Sequence, residues 1–245
     1  LAFDDPLVDD PTPRAWQILS STNKWQPFDQ KPSVVAQNPE VIVYEIAPGD
    51  FVAGLALFNV SAQEIRITGR TPDEQQVYSA TTNMTNVDAI ADWYDYYFAE
   101  LTFNDTAQFT DLPPVSNAIW RIEIINPGGV ARVGQIAIGP IFEPGPTITP
   151  SGFSILDFSA VQTDDFGNLT RVVRPSTQTF DFDIRIRSVS IFNIKTQLEA
   201  LRGGRPAVWI GGEEPELGAS VYGILTNADV FYATGPVAQL SITIQ

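Results

Sequence analysis

Five aromatic rings and one carboxylate lie side by side in the stretch Trp93-Tyr94-Asp95-Tyr96-Tyr97-Phe98. Aromatic faces stack on sugar rings, and Asp92 or Asp95 would accept hydrogen bonds from sugar hydroxyls. A run this dense also covers the open edge of a sandwich core or anchors a neighbouring subunit. We favour the second role and keep glycan binding as the alternative. The candidate residues for either contact are Trp93, Tyr94, Tyr96 and Tyr97.

An amphipathic strand supplies the second group of candidate residues. Apolar and charged side chains alternate from 180 to 187, with Arg185 and Arg187 on the charged face. Residues 1–150 contain 19 acidic and 7 basic residues, whereas residues 151–245 contain 10 and 7. Arg185 and Arg187 are therefore predicted to contact the acidic first half of a neighbouring subunit.

The sequence argues against an enzyme. It contains neither Cys nor His, which removes thiolate nucleophiles, zinc sites and the Ser-His-Asp triad. Glu213, Glu214 and Glu216 share one loop, where nothing separates their pKa values as a glycosidase requires. The acidic pairs near the N-terminus lack the ligand spacing of a calcium loop. We predict no catalytic, cofactor-binding or metal-binding residues.

Composition narrows the classes of partner. The 245 residues carry a net charge of −15, which repels a nucleic-acid backbone and an anionic membrane surface. No apolar run is long enough to span a membrane, and the acidic N-terminus does not resemble a signal peptide. We expect a soluble protein that is made in the cytoplasm.

The order of the apolar runs predicts an all-β fold with two domains. The first, residues 1–146, is predicted to be a jelly-roll-like β-sandwich preceded by an extended N-terminal arm. The second, residues 147–245, is predicted to be a smaller β-rich domain with one helix near 190–202. A linker rich in Pro and Gly, residues 142–150, separates them.

Two segments of the first domain have more specific predictions. Residues 119–145 read as a β-hairpin, because Ile122, Ile124 and Val133 alternate with polar residues around the turn Asn126-Pro127-Gly128-Gly129. Residues 86–101 read as a short helix or a compact loop.

Several short motifs resemble proteins at the tail tip of long-tailed bacteriophages. The segment 133–142 resembles the last strands of a jelly-roll module common in such tails, and Lys24–Asp29 resembles their opening motif. The segments 152–159, 163–170, 172–174, 207–211 and 222–223 are similar to later parts of the same proteins, in the same order.

This resemblance implies a distal tail or tail-tip structural protein of a siphovirus-type phage or a related gene-transfer particle. It implies self-assembly, as a hexameric ring in preference to a trimer, that joins the tail tube to tip proteins or fibres. It implies a location in the virion tail and no catalytic residues. The alternative is a carbohydrate-binding module that contacts the host surface.

Overall fold

The chain is all-β in its described part and divides into two compact units. The computed structural model describes residues 21–86, 93, 97, 102–163, 167, 169–174, 176–211, 220–232 and 235–245. The units are Leu1–Ile141 and Phe142–Gln245. The predicted fold class is thereby confirmed at the level of an all-β protein, and the jelly-roll likeness of the first domain stays a prediction.

The first unit contains two larger sheets and one short strand pair. The larger sheets have the orders β1-β8-β3-β4 and β7-β2-β9, and β5 pairs with β6. The strands are β1 (Ala36–Ile46), β2 (Gly54–Phe58), β3 (Glu64–Arg70), β4 (Gln76–Asn83), β5 (Thr85–Asn86), β6 (Thr102–Phe103), β7 (Thr106–Phe109), β8 (Ile119–Val133) and β9 (Gln135–Gly139).

The two larger sheets share one apolar core, as their alternating sequences require. Ile65, Ile122 and Ile124 are fully buried on the inner face of the four-stranded sheet, and Leu57 is buried on the facing sheet. Trp120 is also fully buried, and its ring lies edge-on to Tyr78 with centroids 5.8 Å apart.

The predicted hairpin at 119–145 is wrong. β8 is one long strand, and both sides of the predicted turn pair with β1: Val41 lies opposite Ile125 and Pro39 opposite Val130. The residues between them, 126–129, form a bulge in which Gly128 has φ +73°. The side-chain amide of Asn126 donates a hydrogen bond to the backbone carbonyl of Val130. Residues 119–125 already have β1 and β3 as neighbours, so the chain cannot fold back beside them.

The second unit contains a five-stranded sheet of order β10-β13-β16-β15-β14 and a hairpin, β11-β12. The elements are β10 (Thr147–Asp157), β11 (Ala160–Thr163), β12 (Leu169–Val172), β13 (Ser176–Arg187), α1 (Ile191–Ala200), β14 (Pro206–Ile210), β15 (Ser220–Tyr232) and β16 (Val237–Ile244). Residues 142–146 belong to this unit, since the backbone N–H of Arg185 donates to the carbonyl of Pro146.

The core of the second unit confirms the amphipathic strand. Phe180, Phe182, Ile184 and Ile186 of β13 are buried, and α1 adds the buried Ile194 to the same cluster. The predicted helix is confirmed, and two glycines with positive φ follow it. Ser190 stands at its N-cap but makes no capping hydrogen bond, because it ends a 3₁₀ turn and already has helical φ and ψ.

Candidate interaction surfaces

Two residues of the aromatic run lie within the described part of the chain. Trp93 and Tyr97 both have helical backbone, and their side chains are 77% and 69% exposed. Residues four apart lie on the same face of a helix. Tyr94 and Tyr96 lie outside the described residues. Trp93 and Tyr97 therefore do not fill a core, and their rings are accessible for contact with a ligand or a subunit.

The outward face of the four-stranded sheet in the first unit carries alternating charges. Arg66, Arg70 and Arg121 there each lie beside a carboxylate, and Glu123 raises the pKa of Arg121 through its hydrogen bond and its charge. Exposed pairs of this kind contribute little to stability, because water and salt screen the two charges. The ion pairs share residues and form one continuous network. Its order is Glu64–Arg66–Glu123–Arg121–Glu45–Arg70, with N···O distances of 2.7, 3.6, 2.8, 3.3 and 3.4 Å.

The sheet of the second unit differs in this respect. Arg185 and Arg187 are exposed on its outward face, opposite Gln239 and Val237 of β16. Neither guanidinium forms an ion pair with any residue that the structure describes. Phe231 lies on the other side of Gln239 on the same face and is also exposed. This face therefore combines two arginines that have no ion pair among the described residues, the carboxylates of Asp181 and Asp183, and an exposed aromatic ring.

A two-stranded β-ribbon forms the third surface. We use the name β-ribbon for residues 153–163 and 169–180. Beyond the pair Phe180–Ile244, β10 is the only neighbour of β13 among the described strands, with Asp157 opposite Ser176. The pairing then continues in the hairpin β11-β12, from Ala160 opposite Val172 to Thr163 opposite Leu169. At about 3.3 Å per residue, the ten residues from 154 to 163 span roughly 30 Å.

Ser159 joins the two halves of the β-ribbon. The backbone N–H of Arg174 donates to its hydroxyl oxygen at 3.1 Å, and its own N–H donates to a carboxylate oxygen of Asp157 at 2.8 Å. The hydrogen bonds from Ser159 lower the pKa of Asp157, and the charge of Arg171 lowers it further. The bond between Ser159 and Arg174 bridges the interval between the pairs Asp157–Ser176 and Ala160–Val172.

Exposed apolar side chains lie on both faces of the β-ribbon, beside polar ones such as Thr170 and Arg171. Val161 and Leu169 are diagonal neighbours on one face of the hairpin and are 62% and 72% exposed. Val172 is exposed on the other face. Near the sheet, Phe153 lies opposite the buried Phe180, but its own side chain is 65% exposed. The full set of exposed apolar side chains is Phe153, Ile155, Phe158, Val161, Leu169, Val172 and Val173.

The sequence predicted a β-rich second domain here but not this exposed surface. The signal was available, because a hairpin only two strands wide cannot bury apolar residues on both of its faces. The residues between its strands, 164–168, lie outside the described residues except for Gly167, which has φ +83°.

The described residues contain no group of three or more His, Cys, Asp and Glu side chains that could hold a metal ion. Glu213, Glu214, Glu216 and the acidic N-terminal pairs lie outside the described residues. No helix in the described part is long and apolar enough to cross a membrane. Comparisons with protein-family models, with curated proteins and with solved structures found no match to this chain.

Proposed function

We propose that this chain is a structural component of a phage tail tip that self-assembles and connects the tail tube to tip proteins or fibres. The observation that carries the proposal is the apolar surface of the β-ribbon. Exposed apolar side chains that cluster on one element are typical of sites of protein association. A chain that works by association needs such surfaces and needs no catalytic centre.

The charges of the second unit support the same function. Arg185 and Arg187 form no ion pair with a described residue, whereas residues 1–150 carry a net charge of −12. A contact between these arginines and the first unit of a neighbour would pair opposite charges and orient the copies head to tail. Repeated head-to-tail contacts close into a ring, for which we favour a hexamer over a trimer.

Immunogold labelling tests the proposal on tailed particles purified from a culture that carries the gene for this chain. Antibodies against the purified protein should bind at the distal end of the tail, where a connector of tube and fibres would lie. Label on the head, or absence of the protein from purified particles, would contradict the function. Particles treated with pre-immune serum are the control.

Carbohydrate binding is the second candidate function, favoured by the exposed rings of Trp93 and Tyr97 on one helical face. Stacking of sugars on such rings would require both side chains. A glycan array probed with the wild type and with Trp93→Ala plus Tyr97→Ala tests it. Binding by the wild type that the double variant loses supports a glycan site, and an array without specific binding contradicts it.

A further inference from the structure

We propose that residues 71–75, the turn between β3 and β4 in the first unit of one copy, contact Arg185 and Arg187 in the second unit of the next copy. We call residues 71–75 the acidic turn, because it carries Asp73 and Glu74. The inference rests on the assembly function proposed above and deepens it, since it names the two surfaces that meet in a head-to-tail contact.

Most carboxylates in the described part of the first unit already have a partner. Those on the outward sheet face belong to the ion-pair network, and the side chains that accept hydrogen bonds instead are Asp29, Asp50, Asp105 and Asp111. Among the described residues the exceptions are Glu40, Asp73 and Glu74. The acidic turn is therefore the place in this part of the unit where two carboxylates without a partner adjoin.

Hydrogen bonds close the acidic turn without using these two side chains. The backbone N–H of Thr71 donates to the carbonyl of Gln75, and that of Glu74 donates to the carbonyl of Thr71, both at 2.9 Å. The N–H of Gln75 donates to the hydroxyl oxygen of Thr71 at 3.2 Å. Asp73 and Glu74 themselves are exposed. Both carboxylates are thus presented on an ordered backbone and are available to a partner.

The arginines of the second unit offer a matching pair of charges. Arg185 and Arg187 are two residues apart on one face of β13, so their Cα atoms lie roughly 7 Å apart. Their partners across the ladder, Gln239 and Val237, carry no charge. Along β13 the nearest carboxylate on this face is that of Asp183, which forms no ion pair with Arg185. Each guanidinium can therefore bind one carboxylate of the acidic turn.

A second copy of this chain supplies this match in the geometry that a ring needs. The two surfaces belong to different units, so a copy whose acidic turn binds one neighbour still has its arginines available for another. Such a contact is heterologous, and in a closed ring both surfaces of every copy are occupied. The exposed ring of Phe231 lies on the same face, across Gln239, and adds apolar area beside the charges.

Reversal of each surface separately tests the contact in the full-length chain. The arginine variant is Arg185→Glu plus Arg187→Glu, and the turn variant is Asp73→Lys plus Glu74→Lys. The first makes the chain more acidic by four charges, and the second makes it less acidic by four. General repulsion between acidic copies therefore predicts that the turn variant assembles more readily than the wild type. A contact between the acidic turn and the arginines predicts the opposite.

We expect each variant alone to need about ten times more protein than the wild type to reach the same average mass in light scattering. In an equimolar mixture, the altered surfaces of the two variants match each other, and so do the unaltered surfaces. Assembly of the mixture should therefore return toward the wild-type concentration. Alternation of two variants around a ring requires an even number of copies, so full recovery would fit a hexamer and not a trimer.

Asp50→Lys plus Asp105→Lys is the matched control for the turn variant, because both residues are exposed in the same unit and the net charge changes equally. This control should assemble at least as readily as the wild type. The inference would be overturned by a turn variant that assembles as readily as the control, by a mixture that assembles no better than its components, or by a monomeric wild type. Circular dichroism verifies that all variants fold.

The contact and the tail function fail separately. Unchanged assembly of both variants, with antibody label still at the tail tip, removes only the contact between these two surfaces. Recovery of assembly in the mixture, for a protein that is absent from tailed particles, removes only the tail function.

Discussion

Gly134 lies where the chain passes from β8 in one sheet of the first unit to β9 in the other. Its backbone N–H lies 3.1 and 3.2 Å from the carbonyl oxygens of Phe58 and Asn59. A Cβ at this position would overlap the carbonyl oxygen of Pro32, which also accepts a hydrogen bond from the side chain of Asn59. The corner therefore depends on a residue without a side chain.

Gly134→Ala should lower the free energy of unfolding of the first unit by about 2 kcal/mol, because relief of the overlap must displace backbone. Gly139→Ala is the matched control, since a Cβ there meets no atom within 4 Å. Urea unfolding of both variants checks the prediction. Equal free energies of unfolding for the two variants would contradict the prediction, because the backbone at Pro32 could then move aside with no loss of stability.

Tyr78 predicts a dependence of stability on pH. Burial, a 2.6 Å hydrogen bond to the carboxylate of Asp111 and the negative charge of that carboxylate together raise the pKa of Tyr78. Because the pKa of Tyr78 is higher in the folded state than in the unfolded state, its neutral side chain stabilises the fold. This contribution is complete below the unfolded tyrosine pKa of about 10 and is lost as the pH rises through the pKa of the folded state.

Tyr78→Phe should therefore weaken the alkaline loss of stability. Between pH 9 and pH 11, roughly the range around the unfolded tyrosine pKa, the melting temperature of the wild type should fall more steeply than that of the variant. Burial also raises the pKa of Tyr44, so some alkaline loss remains in both proteins. Tyr232→Phe, at an exposed tyrosine, should behave as the wild type does; parallel curves for all three proteins would contradict the assignment.

At the scale of elements, the helix of the second unit has one buried and one exposed apolar position two residues apart. Ile194 is almost fully buried in the core, whereas Phe192 is 82% exposed. Ile194→Ala should cost about 2–4 kcal/mol of stability, the usual range for a buried aliphatic side chain. Phe192→Ala should cost far less, and thermal unfolding of both variants distinguishes them. A larger loss from Phe192→Ala would mean that its ring is buried in an assembly.

Some of these elements could be predicted from the sequence, and others could not. The strand with Phe180 and Ile186 and the helix around Ile194 were predictable, because each has a clear period and ends at glycine or a turn. The bulge at 126–129 was not, since Asn-Pro-Gly-Gly has the same turn chemistry in a bulge as in a hairpin. Only the neighbours β1 and β3, which are distant in sequence, decide between them.

The candidate surfaces were predictable to different degrees. The alternation of apolar and charged residues along one strand was enough to predict that Arg185 and Arg187 point outward. The β-ribbon required knowledge of which strands lack a third neighbour, which is a property of the whole sheet. Sequence patterns report on the face of an element, whereas exposure depends on what the remaining chain leaves uncovered.

At the scale of the whole molecule, the uneven charge predicts where an electrostatic contact between copies forms. The ion pairs on the first unit compensate Arg66, Arg70 and Arg121, so these cations cannot attract a neighbour strongly. Arg185 and Arg187 form no ion pair with a described residue and remain available. We therefore expect an acidic partner surface to bind at Arg185 and Arg187 rather than at Arg66, Arg70 and Arg121.

Reversal of these two charges tests that contact. Arg185→Glu plus Arg187→Glu should shift assembly to higher protein concentration by about tenfold, the effect of roughly 1.4 kcal/mol, and should make assembly less sensitive to salt. Arg202→Glu plus Arg205→Glu is the matched control, because both residues are exposed and the net charge changes equally. Light scattering at low and moderate salt measures both variants. If the control weakens assembly as much as Arg185→Glu plus Arg187→Glu does, general repulsion between acidic copies explains the loss, and the second sheet has no specific part in the contact.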